Sequence, residues 1–224
     1  MTTVGARLAA IVAVDPSRPV LTWYDDESGE RTELSGATLA NWVAKTANLL
    51  VEGAGLDPGD RAVTLLPPHW QSAAVLLGCW SAGLAVAAAG PAEIGFGTPD
   101  RAAELTQPQR YLVGLHPLGL PLPSVPDGYL DYAAEVRGYG DRYVPAVPLE
   151  PQDTLLAAAT ARATELEIEP GDRVLIDAER DPDPLNWLLA PLSVGASIVL
   201  CRHLDPESIW ERVGIERVTR NLAR

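Results

Sequence analysis

The stretch RAVTLLPPHWQSAAVLLGCWSAGLAVAAAGPAE, residues 61–93, decides the fold. No acidic or basic side chain stands between Arg61 and Glu93, and Ala73 to Gly90 is almost wholly apolar. Length alone would let such a run cross a bilayer as a helix. Pro67-Pro68 breaks its front end, Ser81-Ala82-Gly83 stops a helix-length segment, and Gly90-Pro91 closes it. The run therefore divides into a strand at 62–66, a helix at 69–82 and a strand at 84–89. A βαβ unit accounts for the missing charge, because a parallel strand covered on both faces loses its polar alternation.

Upstream, Val20-Leu21-Thr22-Trp23-Tyr24 and Arg31-Thr32-Glu33-Leu34 flank the acidic turn 25–30, in which Gly29 supplies a positive φ, so the spacing predicts a hairpin. Ser35 caps a helix that carries Leu39, Trp42, Val43, Thr46, Ala47, Leu49 and Leu50 on one stripe, ended by Gly53 and Gly55. Downstream, 101–105 reads as helix and 111–114 as strand. Pro117, Pro121, Pro123 and Pro126 make an extended connector that Pro145, Pro148 and Pro151 close, with a short helix at 131–136.

The opening pattern then returns. Pro58-Gly59-Asp60-Arg61 and Pro170-Gly171-Asp172-Arg173 lie 112 residues apart, and Leu76/Leu188, Ser81/Ser193 and Gly83/Gly195 keep the same offset. Four landmarks at one ungapped spacing predict two halves on one plan: helix, PGDR turn, strand, helix, S-x-G turn, strand. The second half reads as helix 154–166, strand 174–177, helix 184–192, strand 196–201 and a closing helix from Asp205 with Pro206 in its first turn. The expected fold class is α/β: two similar βαβ-type halves with mainly parallel sheets flanked by helices, plus an N-terminal β-hairpin. Expected boundaries are 1–116 for the first half with the hairpin, 117–150 for the connector and 151–224 for the second half, the halves packing as one unit.

The 224 residues carry 17 basic and 30 acidic side chains, a net charge of −13. That balance argues against nucleic acid and anionic membranes as partners. Cys79 and Cys201 stand apart in apolar surroundings and read as reduced, buried thiols, and Met1 to Ala13 lacks a signal-peptide pattern, so a cytoplasmic location is expected. His69, His116 and His203 have no metal-ligand spacing, and no Walker loop or G-x-S-x-G elbow occurs. Asp25-Asp26 reads as a solvated loop tip, Asp181 and Asp183 as helix caps, and Lys45, the sole lysine, as a solvated helix residue.

Gly59-Asp60-Arg61 to Pro67, Ser81-Ala82-Gly83-Leu84, Pro170-Gly171-Asp172-Arg173-Val174-Leu175 and Leu189-Ala190-Pro191-Leu192-Ser193-Val194-Gly195-Ala196 resemble, in order, the N-terminal region of adenylate-forming enzymes, the acyl-CoA synthetase and AMP-binding ligase superfamily. The chain is identified as a truncated relative of that region, similar to short actinobacterial proteins of the same look. The resemblance implies activation of a carboxylate by attack on the α-phosphate of ATP. That chemistry needs a Gly/Ser/Thr-rich phosphate loop with a lysine, and cations where charge develops. At the corresponding place Asp153-Thr154-Leu155-Leu156-Ala157-Ala158-Ala159-Thr160-Ala161 offers no glycine, proline or lysine. The adenine and ribose motifs and the catalytic lysine of the family are expected to fall beyond residue 224.

Ligands of open parallel sheets sit beyond the carboxyl ends of the strands. That edge carries Pro68, His69 and Trp70 in the first half and Glu179 and Arg180 in the second, and these five are the candidate ligand-binding residues. His69 would meet an anion and Trp70 would stack on a flat group. The expectation is a non-catalytic binding or interaction module with no cofactor and no metal, associating as a twofold dimer or with a protein partner. The alternative is a protein that binds a small acyl, CoA or adenine-nucleotide ligand; if active at all, the chain would be an AMP-forming acid–thiol ligase.

Overall fold

The structure, a computed structural model, describes residues 3–147 and 149–223; Pro148, counted above among the closing prolines, lies outside them. In chain order the elements are α1 (Val4–Val14), β1 (Pro19–Asp25), β2 (Glu30–Ser35), α2 (Gly36–Asn48), β3 (Arg61–Leu65), α3 (Trp70–Ser81), β4 (Ala85–Ala87), β5 (Ile94–Gly97), β6 (Gln109–Leu112), β7 (Leu130–Asp131), α4 (Tyr132–Glu135), α5 (Asp153–Glu165), β8 (Arg173–Asp177), α6 (Ala190–Ser193), β9 (Ser197–Arg202), α7 (Ile209–Ile215) and β10 (Arg220–Asn221). A π-helical turn, Leu49–Gly53, extends α2, another, Leu185–Leu189, precedes α6, and a 3₁₀ helix runs over Pro99–Glu104. No helix among the described residues is long and apolar enough to cross a membrane.

The chain forms two compact units, Met1–Leu39 with Pro67–Trp70 and Gln152–Arg224, and Ala40–Leu66 with Gln71–Pro151. The second unit holds an all-parallel sheet, β4-β3-β5-β6-β7. Its strand residues alternate between two cores. Ala62 and Tyr111 join Leu50, Cys79, Phe96 and Tyr132 on one side, while Val63, Leu65 and Leu112 pack with Leu105 on the other. The Phe96 ring stacks on Tyr111 at 5.5 Å, and the buried Tyr132 hydroxyl is satisfied by Thr46 Oγ1 at 2.7 Å. The strand expected at 84–89 is only the three-residue β4 at the sheet edge. It pairs with β3 alone, so Ala85 and Ala88 to Gly90 are exposed and the ladder has nothing further to bind.

The first unit holds a mixed sheet, β10-β8-β9-β1-β2. The hairpin is antiparallel as predicted, with Gly29 at φ 76°, and β1 also pairs in parallel with β9. Leu175, Val199, Cys201 and Tyr24 turn to one side of this sheet and pack with Val213 and Val218. Ser35 caps α2 through a bond from the Thr38 amide at 3.1 Å. The closing helix starts at Ile209 rather than Asp205, because the Asp205 carbonyl and carboxylate take the Ser208 and Glu207 amides and hold 206–208 as a turn.

The internal repeat extends to single hydrogen bonds. In one unit the Asp57 amide donates to Asp60 Oδ2 at 2.8 Å and the Ala85 amide to the Asp60 carbonyl at 2.8 Å. In the other, 112 positions on, Glu169 donates to Asp172 Oδ2 at 2.7 Å and Ser197 to the Asp172 carbonyl at 2.8 Å. Gly59 and Gly171 have φ 98° and 88°, and Gly83 and Gly195 83° and 77°, the left-handed region where a Cβ is disfavoured. The registers match as well: Arg61 pairs with Ala85, and Arg173 with Ser197.

Candidate functional site

Three parallel strands of the mixed sheet end together, β1 at Asp25, β8 at Asp177 and β9 at Arg202. Beyond these ends the Asp177 carboxylate takes the Glu179 amide at 2.9 Å and shapes the loop that carries Glu179 and Arg180, both exposed. The residue after β9, His203, stands at φ 47° with Nδ1 2.8 Å from Asp25 Oδ1 and 3.3 Å from Glu27 Oε2. Its Nε2 lies 3.7 Å from Glu179 Oε1. The hydrogen bond to Asp25 raises the imidazole pKa above its ordinary value against a small burial effect, so His203 carries charge more readily than a free histidine. Burial pushes the Asp25 carboxyl up, but the bonds from His203 and the Glu27 amide override it and hold the group low.

Asp25 and Asp26 are therefore not the solvated tip the sequence suggests. Asp25 is buried, and Asp26 accepts both Arg212 guanidinium nitrogens, at 3.0 and 2.6 Å, with the Asp205 amide at 2.8 Å. The Arg212 guanidinium also lies over the Tyr24 ring at 4.2 Å. Lys45 differs too: it is half-buried, with Nζ 2.6 Å from the Tyr139 carbonyl. Asp183 does cap, through the Leu185 amide at 2.9 Å. Cys79 and Cys201 are free and buried, and burial lifts their thiols to about 12 and about 11.

Pro68, His69 and Trp70 lie inside the unit. His69 and Trp70 are each 2% exposed, and the Trp23 ring of β1 meets His69 edge-on at 4.6 Å. Burial, then the nearby Arg202 charge, lowers the His69 pKa to about 3, leaving a neutral imidazole. Asp25 and Arg202 are close enough for their charges to reach His69, while His203 touches both Asp25 and Glu179. His69 and Trp70 are therefore buried and not open to a ligand as the sequence suggests, because Trp23 and the surrounding core cover them, whereas Glu179 and Arg180 are exposed on the loop after β8. What the edge offers chemically is a histidine whose two ring nitrogens face the carboxylates of Asp25, Glu27 and Glu179, with Arg180 exposed on the adjoining loop. Among the described residues no three His, Cys, Asp or Glu side chains are placed to hold a metal ion.

His203 escaped sequence reasoning. It meets Asp25 across 178 positions, and only the parallel β1–β9 register, which sets Asp25 beside Arg202, makes them neighbours.

A protein of Mycobacterium tuberculosis (strain ATCC 25618 / H37Rv) described as "TIGR03089 family protein" is 40% identical over 235 residues, covering 97% of this chain and 97% of that protein. The chain belongs to the TIGR03089 family. Within this TIGR03089 member, residues 8–102 match the sequence model of the AMP-binding enzyme family. Two solved structures share its fold at 19% identity: Brucella canis acyl-CoA synthetase, with TM-score 0.77 over 98% of this chain, and Streptomyces lividans acetoacetyl-CoA synthetase, with 0.76 over 97%. The N-terminal domain of FACL13 from Mycobacterium tuberculosis superposes with TM-score 0.67 at 15% identity. The chain spans 47% and 41% of the two synthetases, about half their length. Its fold is the one seen in part of these synthetases and in that N-terminal domain.

Proposed function

We propose that this TIGR03089 member is a non-catalytic binding and interaction module rather than an acyl-activating ligase. The observation that carries the reading is α5. Where the family resemblance calls for a flexible phosphate loop, Asp153–Glu165 is one regular helix. Inside a helix each backbone N–H is bonded to the carbonyl four residues back, so few are left to cradle a triphosphate. The one cation of the segment, Arg162, is engaged by Asn186 Oδ1 at 2.7 Å and Glu165 Oε2 at 2.9 Å. Carboxylate-dependent pyrophosphate exchange tests this directly: no exchange above background is expected with the purified protein and magnesium-ATP, and substrate-dependent exchange overturns the reading.

Self-association is the interaction proposed, as a twofold dimer. Trp210 and Ile215 on α7 are each 66% exposed, apolar surface that a second copy could cover. Sedimentation is expected to give a dimer at micromolar concentration, and a monomer throughout that range removes this part. A second reading, retention of a small acyl, CoA or adenine-nucleotide ligand, draws on Arg180, exposed on the loop at the carboxyl end of β8. A melting temperature that rises with AMP, CoA or acyl-CoA concentration, and loses that response in Arg180→Ala, supports it.

A further inference from the structure

A polar cleft lies in the same unit, at the ends of the strands opposite to Asp25, Asp177 and Arg202. Open to solvent, it has a volume of about 350 Å³ between Ile215–Arg217, at the end of α7, and the first residues of β1, β8 and β9. Four arginines line it, Arg18, Arg31, Arg173 and Arg217, with two carboxylates, Glu33 and Glu216. The protein as a whole is strongly acidic, at −13. Among the side chains that line this cleft the formal balance runs the other way, and a concave site with a positive surplus concentrates anions.

The surplus can be located. Glu216 is held by Arg173, by Arg31 at 2.9 Å and by the Tyr24 hydroxyl at 2.5 Å. Glu33 takes Arg31 at 2.7 Å. Arg31 and Arg173 are thus matched by carboxylates and pinned in place, with Arg173 also donating to Thr22 Oγ1 at 2.9 Å. The Arg18 guanidinium gives one bond, to the Gly171 carbonyl at 3.1 Å, with Asp15 the carboxylate its charge reaches, and among the described residues neither Arg18 nor Arg217 has a carboxylate within ion-pair distance. Arg217 moreover occupies a left-handed residue, φ 52°, at the end of α7, a place where glycine is the unstrained choice.

We propose that this cleft binds a compact dianion, a phosphate monoester or a short dicarboxylate, with Arg18 and Arg217 as its charge partners and the pinned edges of Arg31 and Arg173 as its wall. Two guanidinium groups without a direct ion pair balance two negative charges, and their forked N–H donors suit oxyanions. The pinned Arg31 and Arg173 hold the shape of the wall, while Arg18 and Arg217 would order on the ligand. The reading is independent of the carboxyl-edge site and of whether the chain is catalytic.

Isothermal titration of the full chain with inorganic phosphate, succinate and acetate tests it. Phosphate or succinate is expected to bind at one site at least about tenfold more tightly than acetate, and the better of the two identifies the phosphoryl or the dicarboxylate source. Arg18→Ala and Arg217→Gly are each expected to weaken binding about tenfold, the scale of one charge-assisted contact. Arg217→Gly relieves the left-handed residue, so its melting temperature should hold or rise while binding falls, which separates lost ligand contact from lost fold. Arg142→Ala, an exposed arginine of the other unit, should bind as the parent does. Dianions no tighter than acetate, or equal weakening in Arg142→Ala and Arg217→Gly, overturns the proposal.

Discussion

His203 Nδ1 lies 2.8 Å from Asp25 Oδ1, tying the residue after β9 to the last residue of β1. Besides Asp25, the imidazole faces Glu27 and Glu179, with Arg202 as the opposing charge. Its titration midpoint, followed by NMR, is expected above 6.5, and Asp25→Asn should lower it more than Glu27→Gln, whose parent side chain is 76% exposed. A folded pKa above the unfolded one means the stabilisation is complete below about 6.5 and lost as pH rises through the raised value. Coincident titrations of parent and Asp25→Asn would show that Asp25 does not hold the ring.

His69 behaves in the opposite sense. Its folded pKa of about 3 lies below the unfolded value, so between the two the unfolded chain binds the extra proton. Stability should therefore decline with acid from about pH 6.5 downwards, by up to about 1.4 kcal/mol per pH unit from this residue. His69→Phe, which keeps a ring against Trp23, should flatten the slope between pH 6 and 4 in urea unfolding. An unchanged slope would mean that His69 is protonated in the folded protein.

Gly78 on α3 sets helix propensity against packing. Alanine is favoured over glycine within a helix by about 1 kcal/mol. A Cβ at this position, however, would stand 2.5 Å from Thr46 Cγ2 and 2.6 Å from Thr46 Cβ, and Thr46 is fixed by its bond to Tyr132. Overpacking of this kind costs about 1–3 kcal/mol and should win, so Gly78→Ala is expected to lower stability. A higher melting temperature for that variant contradicts the close approach.

The repeated turns predict unequal costs for equivalent changes. Asp60→Ala loses the Asp57 amide bond, a loss of about 1 kcal/mol. Asp172→Ala loses the corresponding Glu169 bond and also that from Thr219 Oγ1 at 2.7 Å, so about 2 kcal/mol is expected. Denaturant unfolding of the two variants gives the order, and a larger loss at Asp60 would break the account.

Local features were legible because their causes are local. Ser35, Gly29 and the carboxylates of the two PGDR turns each make a bond within four positions, and the structure places them as the sequence implies. The edge position of β4 was not legible, since Leu84 to Ala89 is as apolar as a central strand. Asp25-Asp26 misled for a related reason. Two acids in a hairpin turn look solvated until a distant histidine and arginine arrive.

By itself the sequence determined the α/β class, the 112-residue repeat and the hairpin, because periodicity, turn chemistry and spacing are properties of neighbouring residues. Only the tertiary structure decided that β1 lies beside β9, that His203 meets Asp25, and that four arginines converge near Glu216. Strand order is chosen by burial summed over a whole sheet, and the charges that meet at its ends and faces follow from that choice, not from any pattern along the chain.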